Sequence, residues 1–207
     1  MSGHVLSLFG GFDLKDDQGT PIAVRSKKGK CLLAYLALHQ GQQIQRDVLA
    51  ELLWGDRGDS QARRSLSQEL YGLRGLFPEE AQAGFHPDGG AVGFAEGLLD
   101  VDVLCFERGI KEGAPKAAAL YSGDLMAGLE TGQESFDGWL RDERERLRER
   151  AVAVWHQILR AEMDGPAEPA IESASRLLAI DPTSEEAHPR IGRCRQNPPS
   201  PCCRSTI

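Results

Sequence analysis

Six residues between positions 63 and 74 carry the side chains that a DNA groove requires. Arg63 and Arg64 bring guanidinium groups suited to guanine or phosphate, and Gln68 an amide suited to adenine. Ser67 and Tyr71 add hydroxyls suited to phosphate, and Arg74 a further cation. Interleaved with them, Ala62, Leu66, Leu70, Leu73 and Phe77 recur at three- and four-residue steps. That period predicts a helix with a core face and a polar opposite face, capped by Asp59 or Ser60 and closed by Pro78. An ordinary surface helix also carries Arg and Gln outside, so this pattern alone fits either role. Arg74, late in the helix, is expected to meet backbone phosphate or an internal carboxylate rather than a base. A second basic cluster, Arg25, Lys27, Lys28 and Lys30, stands at the entrance to an earlier helix and suits phosphate-backbone contacts.

Other chemistry has little to stand on. The chain lacks the phosphate-cradling, dinucleotide-binding, zinc-protease and nucleophile-elbow motifs, so no enzyme activity and no cofactor are expected. His4, His39, His86, His156 and His188 show no metal-ligand spacing and read as surface or capping residues. The cysteines, Cys31, Cys105, Cys194, Cys202 and Cys203, are odd in number and contain no C-x-x-C; Cys31 and Cys105 read as small buried hydrophobes. Asp100 and Asp102 lie at a strand-to-helix junction, where capping explains them.

The net charge of −7 is unfavourable for a DNA binder, but its distribution matters more than its sum. Residues 1–104 hold ten Lys and Arg, and seven of these fall in the two short basic segments. No apolar run approaches bilayer-spanning length and the first eleven residues do not read as a secretory signal, which predicts a cytoplasmic protein without membrane contact.

The elements that must position these residues follow from the hydrophobic pattern. His4 to Val24 alternates apolar and polar residues around Asp16-Asp17-Gln18-Gly19, predicting a hairpin or small antiparallel sheet. Ser26 is a plausible cap for a buried helix that stops at Gly41. A short helix over 46–54 and the helix from residue 59 follow, separated by Gly55-Asp56-Arg57-Gly58. Phe85 to Phe94 reads as a hairpin, with His86 its one candidate cation. This strand–strand, three-helix, hairpin order is that of an α+β winged helix-turn-helix. From Asp102 onward helices are expected at 103–112, 115–122, 135–164, 167–180 and 184–193. The mixed-charge run Arg141 to Arg150 reads as a solvated face with pairs such as Asp142 and Arg146. Leu177-Leu178 through Asp181-Pro182 to His188 resembles the corner of a tetratricopeptide-type repeat.

Taken in order, these residues resemble a known family. Leu8-Phe9-Gly10, Lys28-Gly29-Lys30 leading into Leu32 to Leu36, Leu52-Leu53-Trp54-Gly55 and Ala62-Arg63-Arg64-Ser65-Leu66 resemble the OmpR/PhoB-type winged-helix domain of the antibiotic-regulatory (SARP) activators. Tyr121-Ser122-Gly123-Asp124-Leu125, Phe136 with Trp139, and the Leu177 to His188 segment are similar to the bacterial transcriptional activator domain, a tetratricopeptide-like all-α module. The resemblance implies a winged-helix domain over 1–102, an activator domain over 103–194 and an atypical, disordered tail over 195–207. It implies binding of promoter double-stranded DNA, contact with RNA polymerase, and self-association through the helical part. Pro189 and the loss of pattern after Ile191 read as a C-terminal truncation. The competing expectation is a protein–protein adaptor that no longer binds DNA, or the regulatory front end of a larger signalling protein.

Overall fold

The computed structural model of the chain describes residues 3–77, 79–82, 85–88, 90–113, 115–162 and 166–184. It divides into two compact units, Met1–Leu147 and Arg148–Ile207.

The first unit opens with β1 (His4–Ser7) and β2 (Asp13–Lys15), paired antiparallel with Leu6 opposite Leu14. Asp16 forms the turn that follows β2, its carboxylate accepting from the N–H groups of Gln18 and Thr20. The expected alternation through Val24 is not realised as a strand: beyond Lys15 only a single bridge to Pro21 remains. Helix α1 (Lys27–Leu38) starts where Ser26 Oγ accepts from Gly29 N, and it buries Cys31 through Ala34, Leu36 and Ala37. Next come β3 (Ile44–Gln45), α2 (Arg46–Trp54) and α3 (Asp59–Arg74). The N-cap of α3 is Gly58, with no side-chain cap, so Asp59 and Ser60 do not cap it. Asp59 lies instead in the first helical turn, where its charge favours the exposed N–H groups. Helices α2 and α3 pack on each other, with α1 behind both.

After a short helix α4 (Glu79–Gln82), β4 (Phe85–Asp88) and β5 (Ala91–Phe94) form the expected hairpin. Its inner strand β5 also pairs with β3, which the sequence pattern did not announce. Finally β6 (Leu99–Val101) adds to β1 in parallel, giving the order β2-β1-β6. His4 is not a surface residue: it is buried in β1 against the Phe77 ring.

Helix α5 (Asp102–Lys111), a 3-10 segment (Pro115–Leu120) where a helix was expected, and the front of α6 (Glu134–Ala161) belong to the same unit. Asp102 ties them to the sheet. Its carboxylate accepts from the N–H groups of Leu8, Phe9 and Val103 at 2.8–3.0 Å. Burial holds this carboxyl above the usual carboxylate range, and those three donors pull back against the shift. Phe9 packs edge-on to Phe106 at 5.4 Å. Beside it, Leu8 to Gly10 pairs with Asp124 to Met126 through Gly10 N to Asp124 O and Met126 N to Leu8 O.

The Arg141 to Arg150 run is less solvated than its composition suggests. Arg144 donates to the carbonyls of Leu125, Met126 and Leu129, and Arg146 pairs with Glu107 and Glu143 rather than with Asp142. Cys105 is half-exposed, its thiol donating to Asp100, and so departs from the buried-hydrophobe expectation.

In the second unit, Leu159 of α6 packs with Ala170, Ala174 and Leu177 of α7 (Ala167–Ile180), and Val152, Trp155 and Leu178 surround this core. The expected helix beyond Ser184, Pro189 and the 195–207 tail lie outside the described residues. Among the described residues no helix is long and apolar enough to cross a membrane.

Candidate nucleic-acid interface

Helix α3 divides into the two faces its period requires. Ala62, Leu66, Leu70 and Leu73 are buried, while Arg63, Arg64, Ser67, Gln68, Tyr71 and Arg74 are all exposed. Phe77 is buried too, although the helix ends at Arg74. Tyr71, 84% exposed, has the most open large side chain of the exposed hydrophobics. An aromatic ring left that far in water has no packing role within the unit.

The exposed face is not a simple row of cations. Arg63 is held by Asp47 of α2, through Nε to Oδ1 at 2.8 Å and Nη2 to Oδ2 at 3.1 Å. Arg46 Nη2 donates to Ser67 Oγ at 2.7 Å, and that hydroxyl donates to the Arg63 carbonyl oxygen. Arg57, in the turn between α2 and α3, donates to Ser65 Oγ. Arg64, Gln68, Tyr71 and Arg74 make no side-chain hydrogen bond or ion pair among the described residues, so the internal salt bridge anticipated for Arg74 is absent there.

Arg46, Asp47 and Arg57 escaped the sequence reading. Arg46 and Asp47 reach α3 across the Gly55–Gly58 turn and Arg57 from within it, contacts that no local spacing announces. Between α2 and α3 the surface falls into a groove of about 380 Å³, lined by Asp47, Glu51, Trp54, Arg57, Asp59 and Arg63.

The start of α1 adjoins this surface. A Cβ on Gly29 would stand 2.8 Å from Glu69 Oε2 of α3, so the two helices touch there. Lys28 Nζ lies 5.2 Å over the Trp54 ring of α2, and burial in this position lowers its pKa, with Asp56 acting in the opposite direction. Lys30 turns to the Phe12 ring at 5.4 Å instead. Arg25 and Lys27 are exposed. The structure therefore brings Lys28 towards the α2–α3 turn and directs Lys30 to the β2 side. On the hairpin, Ala91 to Phe94 is buried, and no Lys or Arg occurs between Phe85 and Glu96.

Residues 107–196 match the model of the bacterial transcriptional activator domain. No curated protein matches the chain. Among solved structures, the chain is similar to Mycobacterium tuberculosis EmbR in complex with low affinity phosphopeptide, with a TM-score of 0.53 and 17% identity. The similarity covers 96% of this chain and 66% of that one, so the chain spans just under two thirds of EmbR's length. At that identity the likeness is one of fold.

Proposed function

We propose that the chain is a DNA-binding transcriptional regulator of the SARP type. Residues 1–102 act as an OmpR/PhoB-type winged helix with α3 in the major groove, and residues 103–194 act as a tetratricopeptide-like module for protein contacts. The observation that carries the reading is the α3 face: four side chains buried below, and three arginines, a serine, a glutamine and a tyrosine exposed above. The β4–β5 hairpin that follows α3 supports it, and so does the activator-domain match over 107–196.

In this reading Arg64 and Gln68 meet base edges together with Arg63, while Tyr71, Arg74, Arg46 and the exposed or α2-facing cations Arg25, Lys27 and Lys28 meet phosphates. RNA polymerase and a second copy of the chain are the proposed protein partners. The protein works in the cytoplasm, without catalytic activity or cofactor.

The test is fluorescence anisotropy on duplex DNA across a salt series. Replacing Arg63 and Arg64 by alanine is expected to weaken binding at the preferred sequence, and replacing Lys28 and Arg74 to weaken it on any duplex and to reduce the salt slope by about one to two, at roughly 0.9 for each phosphate no longer neutralised. Unchanged affinity and slope would overturn it. The Asp47–Arg63 pair and the hairpin without Lys or Arg favour one rival, a protein–protein adaptor that does not bind DNA. For that rival, wild type itself shows no salt-dependent binding.

A further inference from the structure

We propose that Asp47 is a specificity-determining positioning residue, which aims Arg63 at a single guanine; this rests on the DNA-binding reading above. A guanidinium is planar and presents separate donor edges. Asp47 occupies the Nε–Nη2 edge of Arg63. The Nη1–Nη2 end stays open, since Nη1 has no hydrogen-bond partner among the described residues and the Arg63 side chain is 62% exposed. Two outward N–H bonds from that end match the N7 and O6 acceptors of guanine in the major groove.

Three features of the site point to this role. Asp47 is itself 69% exposed, and an open ion pair of this kind stabilises a fold little. A carboxylate on a phosphate-facing surface weakens general attraction to DNA, so its presence there calls for a compensating use. The support continues behind the pair, because Ser67 Oγ bonds the Arg63 carbonyl and Arg46 bonds Ser67. Arg63 is thus oriented at its tip by α2, and the Arg46–Ser67 bond reaches its backbone carbonyl. An arginine already held in one orientation loses less rotamer freedom when it meets a base.

Asp47 also lies in the first turn of α2, where negative charge favours the helix. The experiment therefore needs a readout that a structural role leaves unmoved. Full-length wild type, Asp47→Asn, Asp47→Ser and Arg63→Ala are each used to select bound duplexes from a random library, with folding followed by circular dichroism. Serine removes the carboxylate and leaves a short polar side chain in the first turn of α2.

Both Asp47 variants are expected to lose preference at one guanine by about tenfold, and Arg63→Ala to lose it at the same position. Their affinity for unrelated duplex at low salt is expected to rise roughly threefold. A wild-type motif that the Asp47 variants reproduce unchanged, or lose evenly at every position, overturns the positioning role and leaves DNA binding standing. A wild-type protein that enriches no sequence overturns both.

Discussion

Replacing Asp102 by alanine tests the joint between the N-terminal sheet and the first helix of the helical region. The carboxylate serves three backbone donors, on Leu8, Phe9 and Val103. The side chains at those positions are buried, Leu8 and Val103 fully, so water has little access to the N–H groups once the acceptor is gone. Each buried donor left without a partner costs about 1–3 kcal/mol. Val103 N lies in the first turn of α5 and is the easiest to satisfy otherwise. Two stranded donors then give a loss of roughly 2–6 kcal/mol. Asp102→Asn keeps one acceptor oxygen and sheds the cost of a buried charge, so it is expected to lose less than alanine.

The assay is urea unfolding at constant slope, followed by the shift in midpoint. It also carries a pH signature. The folded-state pKa of Asp102 is raised from 3.8, with burial the largest cause. A raised value means that the folded chain takes up this proton before the unfolded one does. The contribution is therefore fully present below about pH 4 and is lost as pH rises through the raised value. The stability gap between wild type and Asp102→Asn is expected to be wider at pH 4 than at pH 7, as proton linkage requires. An Asp102→Ala protein with an unmoved midpoint would refute the reasoning, because it would mean that the joint does not depend on these donors.

Two further outcomes follow from packing. A Cβ on Gly93 would collide with the backbone carbonyl oxygen of Gln42, which cannot rotate away, so Gly93→Ala is expected to cost about 1–3 kcal/mol in the same assay. Loss confined to the noise would show that the loop at Gln42 yields freely. Cys31 is buried in α1 and its thiol is pushed up to about 12, by burial first and by Asp137 second. Peptide mapping after iodoacetamide treatment at pH 8 is expected to find Cys31 unlabelled in the folded chain and labelled in urea, since the thiolate is the reactive form. Labelling of the folded chain at the unfolded rate would contradict the packing of α1.

What the sequence made legible tracks how local each cause is. Helix α1 with its Ser26 cap, α2 and the core face of α3 each depend on residues within a few positions of one another, and each was readable. The strand β3 has two residues, too few to show a period, and exists because β5 offers an edge to it; β6 was legible only as the strand end before Asp102, and its parallel pairing with β1 was not. His4 was misread for the same reason: its burial comes from Phe77, far along the chain. Charge patterning misled most. A run such as Arg141 to Arg150 looks solvated by composition, and Arg146 does make an i,i+3 pair with Glu143, yet Arg144 binds distant carbonyls and Arg146 also reaches Glu107. The candidate site followed the same rule, since the outward face of α3 was legible from its period whereas Asp47 and Arg46 reach it only through the turn between helices.

That omission alters how an acidic chain could meet a polyanion. With a net charge of −7, long-range attraction to DNA is weak, and beyond a Debye length of about 8–10 Å salt removes most of what remains. Binding must then come from groups at close range. On the proposed face Arg63 is paired with Asp47, and Arg46 is engaged with Ser67, before any ligand arrives. The Asp47 carboxylate lowers the attraction of Arg63 for arbitrary phosphate while leaving the open end of its guanidinium free to meet a placed acceptor. Occupancy of a site in a genome depends on the ratio of specific to non-specific affinity rather than on either alone. A carboxylate on the reading face would thus make absolute binding weaker and sequence choice sharper, and the negative charge of the chain would act in the same direction.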